Sequence, residues 1–282
     1  MKLYCSTGAL ITSKNGRDYT LLPTFAQQLG DLCDGFEFMM YDSWYEVRKR
    51  LTGFLAESGL EFPTFHIEKR IGQEISREGD LSLVRERFTW NCEMAVAIGA
   101  KTLIFHLWDG VPSDRVIAHN IAQLPWLREI ADGYGLTLTV ENVVCNHADP
   151  LTHLTAIHHA YPDIPFTFDV KFAAFHDQLA VSFDEAHRWL WNEGAVRHIH
   201  ISDYDGGYME WECLRSLHPG EGKIDYPRIA AGLRKYGWDG SMTIESTSVR
   251  ADGTLDAEKL RRSLGYLREI FAGDIFAGET FA

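Results

Sequence analysis

The chain has 282 residues, 45% hydrophobic and 24% charged, the balance of a soluble globular protein with ample material for a core. Its 40 acidic residues outnumber 27 basic ones for a net charge of −13. That excess counts against nucleic-acid binding, which depends on basic side chains that release counterions from phosphates. The longest basic run is Arg48-Lys49-Arg50. No apolar stretch approaches the roughly 18 residues of a membrane span, and MKLYCSTGAL is too weakly apolar for a signal peptide. Five scattered cysteines (Cys5, Cys33, Cys92, Cys145, Cys213) include no C-x-x-C pair and read as free thiols in a reducing compartment. A cytoplasmic protein with neither membrane nor nucleic acid as partner is expected.

In chain order, strands are expected at 2–6 (KLYCS) and 34–40 (DGFEFMM), then a helix over 43–58 with Ser43 as its cap. A third strand at 62–68 (FPTFHIE) precedes a helix over 81–98, where Leu83, Phe88, Cys92, Ala95 and Val96 recur at helical spacing. The fourth strand, 102–108 (TLIFHLW), leads into a helix over 115–134 capped by Ser113. Strands five and six fall at 136–142 (LTLTVEN) and 165–171 (PFTFDVK), and a helix over 182–193 begins at Ser182. Strand seven is 197–203 (RHIHISD), with a helix over 227–236 carrying Pro227 in its first turn. Strand eight, 241–246 (SMTIES), is followed by a helix over 256–271. A strand roughly every 30 residues, each followed by a helix, signals a parallel sheet. Eight such units predict one (β/α)8 TIM barrel domain over residues 1–282 with its active site at the C-terminal strand ends. No G-x-G-x-x-G follows the first strand, against a dinucleotide-binding sheet.

Side chains alternate along a strand, so one face meets the helices and the other the barrel interior. Leu138 and Val140 oppose Thr137, Thr139 and Glu141; Phe166, Phe168 and Val170 oppose Thr167, Asp169 and Lys171. Ile199 and Ile201 oppose His198, His200 and Ser202, while Met242 and Ile244 oppose Ser241, Thr243 and Glu245. The apolar face belongs under the helices, which turns the polar column inward. An isolated inward carboxylate costs several kcal/mol. Three carboxylates and an imidazole, each at a strand's C-terminal end, repel one another unless a cation joins them. A single divalent ion (Mn, Co, Zn or Mg) on Glu141, Asp169, His200 and Glu245 removes the repulsion. The alternative is internal pairing with a basic side chain such as Lys171.

The motifs VEN (140–142), FDVKFAAFH (168–176), HIHISDYDG (198–206), HPGEGKIDY (218–226) and GSMTIES (240–246) resemble the xylose isomerase-like TIM barrel superfamily of sugar phosphate isomerases and epimerases. That superfamily also holds inositol-catabolism enzymes and the metal-dependent AP endonucleases. The resemblance implies metal ligation by Glu141, Asp169, His200 and Glu245, with Glu141 and Glu245 as the catalytic acid/base pair, and it is compatible with a homo-oligomer. A metal-held carbonyl and hydroxyl make the adjacent C–H acidic through an enediolate; one carboxylate removes the proton and the other returns it. Two departures stand out. Phe172 occupies a place where the epimerases often carry histidine, with His176 the nearby substitute. Of the endonucleases' three zinc sites, His66, His106 and Glu141 fit one, but another is broken by Phe172 and Ser216, with only His218 kept.

The expected function is a metal-dependent isomerase or epimerase of a sugar, keto-sugar or inositol derivative. Alternatives are a dehydratase on a related polyol ketone and, further off, an AP endonuclease or a non-catalytic sugar-binding barrel. His66, His106, His176, His218, Glu37, Lys171 and Trp108 are the expected substrate contacts, with Glu68 beside His66 as a further inward group. Trp108, Trp211, Tyr204 and Phe172 are candidates for an apolar wall against a sugar's C–H face. His198, one layer below His200, reads as an interior histidine.

Overall fold

The computed structural model describes residues 1–192 and 194–272; the remainder of the expected span 1–282 lies outside the described residues. Eight strands form: β1 (Lys2–Ser6), β2 (Phe36–Met39), β3 (Thr64–His66), β4 (Thr102–Phe105), β5 (Thr137–Glu141), β6 (Phe166–Asp169), β7 (Val196–Ile201) and β8 (Ser241–Ile244). Each pairs in parallel with the next, and β8 returns to β1 with Lys2 opposite Ser241 and Cys5 opposite Ile244, closing a (β/α)8 barrel. Seven fall within the expected segments, and β7 begins at Val196, one residue before its expected start. The helix-facing residues Val140, Phe166, Ile199, Ile201, Met242 and Ile244 are fully buried, as alternation requires.

The barrel interior is polar where aliphatic layers are usual. Glu37 Oε2 accepts hydrogen bonds from the hydroxyls of Thr64 and Thr243 at 3.2 and 3.1 Å. His198 sits one layer below His200, its Nε2 3.1 Å from Glu37 Oε2 and its Nδ1 2.7 Å from Ser241 Oγ. This layer is the floor on which the strand-end residues rest.

Several helices follow their sequence signals. In Tyr226–Lys235, Asp225 accepts from the Arg228 amide, Pro227 lies in the first turn, and Ile229, Ala230 and Leu233 face the core. Ala257–Ala272 buries Leu260, Leu264, Leu267 and Ile270 on one stripe. Among the described residues no helix is long and apolar enough to cross a membrane.

Other expectations are corrected. The stretch 115–134 divides into a 3-10 turn Ser113–Val116 and helices Ile117–Ile121 and Leu124–Gly133, the last with Pro125 as its second residue, which cannot donate back into a preceding helix. The expected helix over 182–193 is three short pieces, Val181–Phe183, Glu185–His187 and Trp189–Asn192, and residue 193 lies outside the described residues. Ser43 lies inside the 3-10 turn Asp42–Val47; Ser113 accepts from the Asp109 amide; Ser182 donates to the Leu179 carbonyl. None of the three caps a helix as expected. In Ser82–Ala97 the buried stripe runs through Val84, Phe88, Cys92 and Ala95, leaving Leu83 and Val96 exposed. The sixth strand stops at Asp169, so Lys171 is not an inward strand residue. It lies on the helix Val170–Phe175, whose first turn Asp169 caps.

Candidate active site

At the C-terminal rim, β5 ends on Glu141, β6 ends on Asp169, β7 carries His200 and Glu245 follows β8 by one residue. One ligand-type atom of each lies within 4.8 Å of those of the other three. Local sequence sets this geometry. Asn142 bridges β5 to β6, its side-chain oxygen accepting from the Asp169 amide and its Nδ2 donating to the Asp169 carbonyl at 3.0 Å. Asp169 Oδ1 accepts from the Phe172 amide at 2.7 Å, which fixes the carboxylate's rotation. Its Oδ2 is buried and has no hydrogen-bond partner among the described residues.

Histidines surround the carboxylates. His200 Nδ1 is 2.9 Å from Glu141 Oε1 and 3.6 Å from Glu245 Oε2, while its Nε2 is 3.2 Å from Glu37 Oε1. His106 Nε2 is 2.8 Å from Glu141 Oε2, and His66 Nε2 is 3.3 Å from the same oxygen. Burial would push Glu141 up, but the charges of His200 and His106 outweigh it and hold its carboxyl well below the usual range. Burial would likewise lower His106 and His200. The Glu141 charge instead raises His106 to about 9, and Glu245, Glu37 and Glu141 raise His200 well above its ordinary value. Asp169 goes the other way: burial lifts it to about 7 against the opposing charge of Lys171, and Glu141 and Glu245 add to the rise.

The donor set fits a divalent ion. Three carboxylates and one imidazole form an oxygen-rich set with one nitrogen, and the unpartnered Asp169 Oδ2 lies where only a cation or proton relieves it. His66 supports the same fit. Its Nδ1 lies 2.9 Å from the Ile67 carbonyl oxygen, to which it can only donate, and so its Nε2 faces a carboxylate oxygen across 3.3 Å. His66, His106 and Glu141 form a second ligand-type group that shares Glu141 with the first.

Above these residues opens a cavity of about 420 Å³. Glu141, Glu245, His66, His106, Glu68 and Phe172 line its depth. Glu68 is buried, with Oε1 accepting from the Arg70 amide and Oε2 unpartnered. Of the four aromatic wall candidates, Phe172 alone lines the cavity.

The other expected contacts lie behind this wall. Glu37 is fully buried beneath His200. Trp108 is fully buried, donating Nε1–H to the Val143 carbonyl at 3.2 Å. Lys171 directs Nζ to Ser216 Oγ at 3.2 Å. His176 Nε2 accepts from the Cys145 amide at 3.0 Å, and burial lowers its pKa to about 4. His218 is held between Ser263 (2.7 Å) and Ser248 (3.1 Å), so it does not join Phe172 and Ser216, which both line the cavity.

The rim held residues that the sequence reading passed over: Arg17 after β1, Met39 at the end of β2 with Met40 and Tyr41 after it, and Lys69 and Arg70 after β3. Only the position of Lys69 and Arg70, directly after inward Glu68, hinted at them. Arg17 adopts φ 52°, a left-handed conformation uncommon for a side-chain-bearing residue, and its guanidinium carbon stands 4.9 Å from the Tyr41 ring centroid.

A family model described as xylose isomerase-like TIM barrel matches residues 23–270. An uncharacterized protein of Methanocaldococcus jannaschii is 25% identical over 189 residues, covering 63% of this chain. The match spans 61% of that relative, less than two thirds of its length. Among solved structures, D-psicose 3-epimerase with D-tagatose, from Clostridium cellulolyticum H10, aligns with a TM-score of 0.70 at 13% identity, over 96% of this chain and 99% of that one. The IolI protein with a binding zinc atom aligns with a TM-score of 0.70 at 14% identity, over 96% of this chain and 98% of that one. Identities this low speak to a shared fold.

Proposed function

Because the chain belongs to the xylose isomerase-like TIM barrel family, we propose that it is a metal-dependent isomerase or epimerase of a small polyhydroxylated carbonyl compound, a sugar, keto-sugar or inositol derivative, built as one barrel domain. The observation that carries this reading is the convergence of Glu141, Asp169, His200 and Glu245 at the base of the cavity, with Asp169 Oδ2 unpartnered. These four would hold one divalent ion of Mn, Co, Zn or Mg. When bound, such an ion supplies electrophilic stabilisation of negative charge developing on substrate oxygens. The likeness to D-psicose 3-epimerase supports a sugar-like substrate.

Glu141 and Glu245 are the proton-transfer pair. Both line the cavity, Glu141 at the end of β5 and Glu245 just after β8, so the two carboxylates would reach a bound substrate from separate points of the rim, one to take the proton and one to return it. Glu245 is the more open, 15% exposed against 1% for Glu141. His66, His106 and Glu68 would bind substrate hydroxyls, with Phe172 as the apolar wall. Glu37 orients His200 through Nε2 and leaves Nδ1 toward the carboxylates, the relay by which an outer carboxylate fixes a ligating imidazole. Lys171, His176, His218 and Trp108 position the walls through the contacts described above.

The test is metal content of protein purified without chelator or histidine tag, followed by incubation with candidate ketoses and inososes in deuterated water. One equivalent of divalent ion that is lost or weakened in Glu245→Gln, and deuterium beside the carbonyl of recovered substrate, are expected. Ligand binding without deuterium wash-in would leave a sugar-binding barrel. An enone product would make the enzyme a dehydratase using the same first step.

A further inference from the structure

A second cluster lies outside the cavity, behind the loop that follows β5. Asp114 on the turn Ser113–Val116, Cys145 in that loop and His153 on the helix Pro150–Ala160 are all buried. One ligand-type atom of each lies within 4.8 Å of those of the other two. None of the three lines the cavity.

Ordinary packing accounts for part of this cluster. Asp114 Oδ2 accepts from the amides of Asn146, His147 and Ala148 at 2.8, 2.6 and 3.3 Å, which ties down the loop. The His153 ring meets Trp108 edge to face, centroids 5.0 Å apart. Yet Asp114 Oδ1 and His153 Nε2 are both buried without a hydrogen-bond partner among the described residues. The Cys145 thiol has a long 3.8 Å contact to the Val143 carbonyl oxygen. Native proteins rarely leave two such atoms unmatched in one spot, because each has lost its water for nothing.

We propose that Asp114, Cys145 and His153 bind a second divalent metal ion, with zinc the best match, which staples the loop after Glu141 to the helix Pro150–Ala160. A thiolate, a carboxylate and an imidazole are a borderline-soft set of the kind zinc takes. One thiolate and one carboxylate also cancel a dication, giving a neutral centre suited to burial. A buried water could serve the two orphaned atoms but gives the thiol no strong partner. His176 stays outside the set: its Nε2 accepts from the Cys145 amide, which leaves Nδ1 as the proton-bearing nitrogen. A fourth position falls to water. The site is independent of the barrel-mouth reading and would stand if that reading failed.

Cobalt distinguishes the two sites. Neither the tetrad nor the His66, His106 and Glu141 group contains sulfur, so cobalt there gives only weak visible bands. Metal-free full-length protein titrated with cobalt(II) should develop an intense near-ultraviolet thiolate-to-metal band. Cys145→Ser should lose that band and keep the weak visible ones. His153→Ala and Asp114→Asn, which retain the thiol, should weaken or shift it. Absence of the band at saturating cobalt in the parent protein would overturn the proposal. So would its persistence in Cys145→Ser, which would assign the sulfur to another cysteine.

Discussion

Glu37 shows how one buried carboxylate reaches the site without touching the cavity. It lies fully inside the barrel, takes hydrogen bonds from two threonines and faces Nε2 of His200. Removing an outer carboxylate of this kind typically costs about 10–100-fold in metal affinity. Glu37→Gln should therefore weaken metal binding in that range while the far-ultraviolet spectrum stays unchanged; unaltered affinity by competitive titration would remove Glu37 from the site. Protonation adds a second residue-scale outcome. His106, raised from 6.5 to about 9, contributes stability that is whole below pH 6.5 and lost as pH climbs through about 9. Asp169, raised from 3.8 to about 7, likewise contributes below its ordinary value and loses that contribution through about 7. Metal-free protein should therefore lose stability between about pH 6 and about pH 9. Metal binding displaces protons and tightens over the same interval, so the gap in Tm between loaded and stripped protein should widen with pH. A gap that narrows would contradict both assignments.

Elements differ in how plainly the sequence announces them. The strands and the inward tetrad were legible because alternation has a fixed period of two and because a carboxylate among aliphatics has few explanations. Phe166 and Phe168 against Thr167 and Asp169 is such a pattern. The cavity rim was not legible. Arg17, Tyr41 and Lys69 sit on connections without periodicity, brought together only by barrel closure. The region 182–193 misled because its apolar residues suit a helix, while the chain breaks into three short pieces. Asp114, Cys145 and His153 share no spacing rule at all. One contact between elements is testable by a single methyl group. Gly72, in the helix Arg70–Ile75, is so close to β4's extension that a Cβ would collide with the His106 carbonyl oxygen. Backbone cannot yield as a flexible side chain does, so Gly72→Ala should destabilise by about 1–3 kcal/mol in denaturant unfolding and lower activity by displacing His106 from Glu141. Gly53, mid-helix in Arg48–Glu57 with open space around its would-be Cβ, is the control; Gly53→Ala should stabilise by about 0.5–1 kcal/mol. Equal effects at the two positions would dismiss the clamp.

The whole molecule is a closed ring of strands that carries a net charge of −13. Closure leaves none of these eight strands with an edge for another chain to extend, and it brings groups from β5 through β8 to one point although they are far apart in sequence. The eightfold rhythm made this architecture readable before any side-chain position was known. The charge bears on the endonuclease alternative. Each phosphate contact needs a basic group, and His218 is turned to Ser263 and Ser248 instead of to Phe172 and Ser216. Abasic duplex should be neither retained nor nicked at physiological salt; robust cleavage would overturn the isomerase reading.

The basic rim on this acidic body has one more consequence. Arg17, Lys69 and Arg70 stand at the mouth of a molecule whose overall field is negative; Asp42 of the same mouth pairs with Arg70 at 2.6 Å, which leaves the local attraction to Arg17 and Lys69. An approaching anion is repelled from afar and attracted only within the last stretch, about one screening length of 8 Å at physiological ionic strength. Added salt then acts in opposite directions on the two stages: it shortens the outer repulsion and blunts the inner attraction. An anionic ligand would associate faster and dissociate faster as ionic strength rises, whereas a neutral sugar would notice neither change.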